Sequence, residues 1–225
     1  MLSLKNISKS YGVEGTRIFR KVLVNLDLEL EDGSCLAILG PSGSGKTTLL
    51  NLLGTLDVPD TGSIRLGEKD TGTLGASELT ILRNKTIGFV FQSHFLLPQC
   101  NVLENVLVPA LPSGKPGDEI LGRAEELLKQ TGLWEQRWHK PAQLSVGECQ
   151  RTAVVRALIN SPTLLLADEP TGALDEENAR MIMELIIRIN RETNVTTIVI
   201  THSTDLAMMM DRVMRLKNGK LEAVK

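Results

Sequence analysis

Cysteine is scarce in this sequence. The three present, Cys35, Cys100 and Cys149, show neither metal-ligand nor redox spacing. They read as reduced thiols, with Cys35 packed in a strand. Long apolar runs are also missing: the longest span about six residues, far short of the ~20 that cross a bilayer. The first residues lack the apolar core of a secretion signal. Charge of one sign is missing as well. Lys and Arg number 25 against 27 Asp and Glu, a formal net charge of −2. No global basic bias points to nucleic acid, and no polybasic run points to a membrane surface. These absences lead to the expectation of a cytosolic globular protein. Tyrosine occurs once, at Tyr11, in a turn-like segment. It reads either as a packing or surface residue, or as an aromatic ring that stacks on a base.

What is present is ordinary in bulk and specific in detail. With 225 residues, 42% hydrophobic and 23% charged, the chain suits one domain, or one core with an inserted subdomain. One stretch organises the rest. The apolar run Cys35 to Leu39 leads into Gly40, Pro41, Ser42, Gly43, Ser44, Gly45, Lys46 and Thr47, and Thr48 to Leu53 reads as a helix closed by Gly54. That is strand, glycine-rich loop, helix, in the pattern G-x-x-x-x-G-K-[ST]. The glycines let successive N–H groups turn inward on a phosphate chain, and the helix aims its positive end at the same anion. Lys46 adds a full charge for the β- and γ-phosphates, and Thr47 a hydroxyl for Mg²⁺.

Strands are expected over residues 2–9 and 22–30, the latter from the strict alternation Leu26, Leu28, Leu30. Further strands are expected at 64–66, 87–91, 163–167 and 196–200, with a closing hairpin around Asn218 and Gly219. Gln92, the pair Asp168 and Glu169, and His202 each stand at the carboxyl end of such a strand, where α/β sheets bind ligands. Two carboxylates there can serve Mg²⁺ and a water nucleophile. Taken singly, Gln92 also reads as a solvated loop amide and His202 as a structural histidine. Residues 93–118 read as irregular, broken by Pro98, Pro109, Pro112 and Pro116. Helices are expected at 119–131, with Gly132 as C′ residue, from Leu144 to about 160, and from about Glu176. Met208 to Met210 read as adaptable helix packing.

In this order the motifs resemble those of the ATP-binding-cassette (ABC) ATPases over essentially the whole chain. Gly40 to Thr47 resembles the Walker A loop, and Tyr11 falls at the adenine-stacking aromatic. Gln92 falls at the Q-loop, and Leu144, Ser145, Val146, Gly147 and Glu148 at the signature usually written LSGGQ. Leu164 to Glu169 resembles Walker B with its catalytic glutamate, Ala173 to Asp175 the D-loop, and His202 the H-loop. Segments such as Glu104 to Val106 and Asp168 to Gly172 are similar to the lipoprotein-releasing and macrolide-exporter subgroup.

The resemblance implies an α/β fold: a P-loop NTPase (RecA-like) core with an N-terminal antiparallel β subdomain and an inserted α-helical subdomain. One cassette would fill 1–225, with 1–92 and 156–225 as core and 93–155 as the helical part. It implies an ATPase in which Glu169, His202, Lys46 and Gln92 are catalytic and Thr47, Gln92 and Asp168 serve Mg²⁺. ATP would meet Tyr11, Gly40 to Lys46, Thr47 and Thr48 of one copy, and Ser145, Gly147 and Glu148 of a second. Implied partners are a second cassette, by default a homodimer, and a transmembrane permease subunit of the FtsX, MacB or LolC/LolE type, with no nucleic acid. The chain would be cytoplasmic, peripheral on the inner face of the cell membrane. Phe95 to Leu97 would sit in the groove that receives a short permease helix; by composition alone they read equally as core.

Two alternatives stay open at this point. A soluble, non-transport ABC ATPase would call for a coiled-coil insertion, zinc cysteine pairs or tandem cassettes, none of which is in the sequence. A non-hydrolysing partner would call for loss of Lys46, Asp168, Glu169 or His202, all of which are intact. Its one support is Val146, whose β-branched side chain replaces a signature glycine where a γ-phosphate approaches.

Overall fold

The computed structural model describes residues 1–13, 15–16 and 18–225. Two antiparallel strands open the chain, β1 (Leu2–Tyr11) and β2 (Arg20–Leu30). β3 (Cys35–Leu39) enters a second sheet and leads through the glycine-rich loop into α1 (Lys46–Leu53). β4 (Thr61–Leu66) and β5 (Lys69–Asp70) return to the first sheet, ordered β2-β1-β4-β5. Then come α2 (Ala76–Thr86), β6 (Ile87–Phe91), α3 (Val102–Leu107), α4 (Asp118–Gln130) and α5 (Val146–Leu158). β7 (Leu164–Asp168), α6 (Glu176–Thr193), β8 (Thr196–Thr201), α7 (Thr204–Ala207), β9 (Arg212–Lys217) and β10 (Lys220–Ala223) complete the chain. The second sheet is ordered β10-β9-β3-β8-β7-β6, parallel except for β10.

Period-two alternation divides the core between the two faces of this sheet. Cys35, Ala37 and Leu39 of β3, with Leu165 and Ala167 of β7, pack against α3, α4, α5 and α6. Leu36, Ile38, Leu164 and Leu166 point the other way, onto α1 and the first sheet. There Leu26, Leu28 and Leu30 of β2 are buried, as the alternation predicts. On α6, Ile182, Leu185, Ile186 and Ile189 are buried on one face. Each contributes about 1.5–3 kcal/mol of apolar transfer, which outweighs the weak propensity of isoleucine for helix. Asp175 caps α6 by accepting the Asn178 N–H at 2.8 Å, and Asn194 ends it in a left-handed conformation.

α2 and α3 lie where no helix is expected. α2 opens on Gly75, whose N–H is bonded by Glu78 at 2.9 Å. α3 opens on a reciprocal cap between Asn101 and Glu104, each N–H donating to the other's side chain at 2.8 Å. The expected boundary at residue 155 falls inside α5, which continues to Leu158. Met208 to Met210 follow α7 in a turn rather than forming a helix: Met210 is buried, Met209 packs on the core, and Met208 is exposed.

Candidate nucleotide site

The strand order brings the carboxyl ends of β3, β6, β7 and β8 to one edge. Each ends in a candidate residue: the loop from Gly40, Gln92, Asp168 with Glu169, and His202. Gly45 adopts φ 102°, and a Cβ there would come within 2.6 Å of Val22, so the close turn into α1 requires glycine. No side chain caps α1, and Leu49 is its first residue to bond back, to Gly45 O at 2.9 Å. The N–H groups of the first turn are therefore free for an anion. Ser44 Oγ is buried with no hydrogen-bond partner among the described residues. Pro41, Ser42 and Gly43 are exposed, Thr48 is half-buried, and Arg20 donates to the Gly43 carbonyl.

Lys46 is buried, and its ammonium donates to Gly40 O at 2.9 Å and Pro41 O at 3.1 Å. The charge is held by two loop carbonyls that a phosphate can replace. The Thr47 hydroxyl donates to Asp168 Oδ2 at 3.1 Å. Burial pushes the Asp168 carboxyl up, and the neighbouring Glu169 charge adds to this, against the Thr47 hydrogen bond and the Lys46 charge. Extra positive charge beside Asp168 relieves that penalty. Thr47 and Asp168 offer hard oxygen atoms, the donor type Mg²⁺ takes, and the described residues form no closed cluster of three metal-ligating side chains. The donor set therefore fits an ion shared with phosphate oxygens.

Glu169 stands at φ 47°, a left-handed conformation unusual for a side-chain-bearing residue. Its N–H donates to Ile200 O at 2.9 Å, and its Oε2 accepts the His202 N–H at 3.2 Å and lies 2.9 Å from His202 Nδ1. The Gly172 N–H donates to Glu169 O at 3.0 Å. A Cβ on Gly172 would meet Gln92 Nε2 at 2.7 Å, so the Gln92 amide rests directly on the loop after Glu169. Tyr11 ends β1 with 43% exposure and lies against Thr48.

Ser145, Gly147 and Glu148 are not part of this cluster within one chain. Ser145 caps α5 and is locked to Glu148: its N–H and hydroxyl each donate to Glu148 Oε2 at 2.8 Å, and Glu148 N–H returns to Ser145 Oγ at 3.2 Å. The backbone bond from Ser145 holds the Glu148 carboxyl below its usual range, with the Ser145 hydroxyl adding to it. Val146 is exposed at the first position of α5. Gly147 is buried, and a Cβ there would lie 3.0 Å from Asn178 Oδ1. α5 also grips the segment after Gln92. Gln150 donates to Phe91 O at 3.1 Å, and Arg156 to the carbonyls of His94 and Phe95, both left-handed at φ 38° and 47°. Phe95 is 63% exposed, edge-on to Phe91 with centroids 5.4 Å apart; Leu96 is half-buried and Leu97 exposed.

Arg20, Asn178 and Asp57, which brace these residues, lie outside every motif, and their sequence neighbourhoods carry no spacing that marks them. A cavity of about 890 Å³ lies at the opposite sheet edge, between Leu2, Leu82, Leu127 and Leu164, and none of the candidate nucleotide or metal residues lines it. At the phosphate-loop edge Pro41, Ser42, Gly43, Thr47, Gln92 and His202 are exposed.

The family described as ABC transporter matches residues 23–172. A lipoprotein-releasing system ATP-binding protein, LolD 1 of Rhodopirellula baltica, is 48% identical over 221 residues, covering 98% of this chain and 96% of that protein. LolD of Syntrophus aciditrophicus is also 48% identical, covering 98% of each. Among solved structures, the dimeric MJ0796, a bacterial ABC transporter cassette, is similar with TM-score 0.88 at 41% identity, covering 99% of this chain and 97% of that one. The same cassette in a dimeric post-hydrolysis state bound to ADP and Pi gives TM-score 0.87 at 40% identity, with the same coverage.

Proposed function

The chain belongs to the ABC transporter family and is an ATP-hydrolysing motor subunit of such a transporter, and from that premise we propose that it drives lipoprotein release through a separate membrane permease. The cargo reading is supported by the relatives named for lipoprotein release, which match this chain along nearly its whole length. The observation that carries the mechanism is the sheet edge where Lys46, Thr47, Asp168, Glu169 and His202 converge.

Two copies pair head to tail over two ATP molecules. Lys46 leaves the Gly40 and Pro41 carbonyls for the β- and γ-phosphates, and the α1 N–H groups and Ser44 complete the cradle. Thr47, Gln92 and Asp168 would hold Mg²⁺, which when bound neutralises charge on the phosphate oxygens. Glu169 orients and polarises the water that attacks the γ-phosphorus as the bond to the β-phosphate oxygen breaks. His202, fixed through Glu169, contacts the γ-phosphate. Ser145 and Gly147 of the second copy close the site from the start of α5. Glu148 acts there through its cap on Ser145. The dimeric cassettes among the similar structures support this pairing.

Among the described residues no helix is long and apolar enough to cross a membrane. We place the docking groove at Phe95 to Leu97, between the Q-loop and α5, where an amphipathic helix can lie. Copurified with its permease in lipoprotein-bearing vesicles, the wild-type chain is expected to release lipoprotein only with ATP. Leu97→Asp, at the exposed position, is expected to abolish copurification while the chain stays folded by circular dichroism and basal ATPase of the free chain stays within about twofold, as for surface changes generally. Copurification at the wild-type level places docking elsewhere, and ATP use without lipoprotein release contradicts the cargo reading.

Val146 bears on the fit of the second copy. Its exposed side chain sits at the helix start that faces the γ-phosphate, so Val146→Gly is expected to raise ATPase or ATP-driven pairing several-fold. Relative to valine the helix cost of glycine is only a few tenths of a kcal/mol, roughly, so propensity opposes this gain little. Equal or lower activity would show that the closed site already accommodates valine.

A further inference from the structure

Besides Thr48, Tyr11 is braced by two residues outside every nucleotide motif, Asp57 and Lys9. Its hydroxyl donates to Asp57 Oδ2 at 2.8 Å. The other carboxylate oxygen, Oδ1, accepts Lys9 Nζ at 2.8 Å and the Val58 N–H at 2.8 Å. Lys9 is only 8% exposed, and its ammonium also donates to Val58 O at 2.7 Å. It lies 5.3 Å from the Tyr11 ring centroid, over one face. An ammonium that buried is retained only when its protons are placed, and here they are placed on the loop that follows α1. That loop is itself fixed: Leu56 N–H donates to Asn51 O at 2.8 Å, Arg83 to Thr55 O at 2.9 Å, and Ser10 N–H to Asp60 at 2.6 Å. Burial pushes the Asp57 carboxyl up, but the Lys9 and Tyr11 hydrogen bonds outweigh it and hold the carboxyl below its usual range.

The consequence is geometric. The loop carrying Asp57 continues directly from α1, the helix whose other end presents the phosphate loop. Asp57 therefore ties the ring to the same rigid unit that binds the phosphates. Lys9 lies over one face, and the ring's 43% exposure leaves surface for a planar base. A tyrosine at a strand end would otherwise sample several rotamers and lose that freedom on binding. We propose that Asp57 and Lys9 are positioning residues that pre-set the Tyr11 ring at a fixed offset from the phosphate loop, so that the base of ATP meets an ordered platform. This rests on the reading of Tyr11 as the base-contacting residue.

The test compares binding of ATP and of inorganic tripolyphosphate, both as Mg²⁺ complexes, by calorimetry on the full chain. Tripolyphosphate engages the phosphate loop but carries no base. Tyr11→Phe keeps the ring and the Lys9–Asp57 pair and removes only the tether. It is expected to weaken ATP about 3–10-fold, the range for one side chain ordered on binding, with tripolyphosphate unchanged. Asp57→Ala, which also strips the buried Lys9 of its carboxylate, is expected to weaken ATP at least as much, and Tyr11→Ala to weaken ATP further. Wild-type ATP affinity in Tyr11→Phe beside a loss in Tyr11→Ala overturns the tether while leaving the base contact standing. Wild-type affinity in both overturns the base contact and the tether with it. A parallel loss for tripolyphosphate in Tyr11→Phe marks general disruption and also overturns the proposal.

Discussion

Glu169→Gln is expected to lower ATP turnover by on the order of 10²-fold or more while ATP binding survives. The backbone at this position is fixed independently of the carboxylate, by the bond from its N–H to Ile200 O and by the Gly172 N–H on its carbonyl. Glutamine matches the shape of glutamate and keeps an oxygen to accept the His202 N–H. What it loses is the negative charge that polarises water. Phosphate contacts through Lys46 and α1 do not pass through this side chain, so affinity is expected to hold. Turnover is read by phosphate release and affinity by calorimetry. Hydrolysis at the wild-type rate would remove Glu169 from the catalytic role.

Lys46→Ala is expected to abolish tight ATP binding, and turnover with it, by on the order of 10²-fold or more. The lost charge faces the phosphate oxygens on which transition-state charge develops. Without nucleotide the ammonium also ties the Gly40 and Pro41 carbonyls, so alanine loosens the loop as well. Circular dichroism separates loosening from unfolding, because the buried leucines of α1 pack regardless of Lys46. Unchanged turnover in a folded variant would sink the phosphate-loop assignment.

Local signals made much of this molecule readable before its structure. Leu26, Leu28 and Leu30 alternate because one face of β2 is buried, and Ile182 to Ile189 repeat because one face of α6 is buried. The strand-end positions of Gln92, Asp168, Glu169 and His202 follow from apolar runs that stop abruptly at polar residues. α3 escaped because the prolines around it signal breaks, although Asn101 and Glu104 spell its cap. α2 escaped because it buries only Leu82, which leaves almost no apolar period to detect. The brace of Lys9, Asp57 and Tyr11 is a tertiary arrangement: residues 46 and 48 positions apart in sequence meet only after β1 and the loop beyond α1 pack together. Likewise Asn178 reaches Gly147 only because α5 and α6 lie side by side. Sequence spacing encodes neither contact.

The central claim is that one chain carries half of each ATP site, with Ser145 and Gly147 closing over the phosphates held by Lys46 of a second copy. The most direct measurement is the mass of Glu169→Gln in solution, by light scattering, with and without ATP. Blocked hydrolysis leaves the closed pair nothing to dissociate it. The mass is expected to be that of one chain without nucleotide and two with ATP, returning to one when Lys46→Ala is added. A single-chain mass at saturating ATP, in protein that demonstrably binds the nucleotide, would contradict the account.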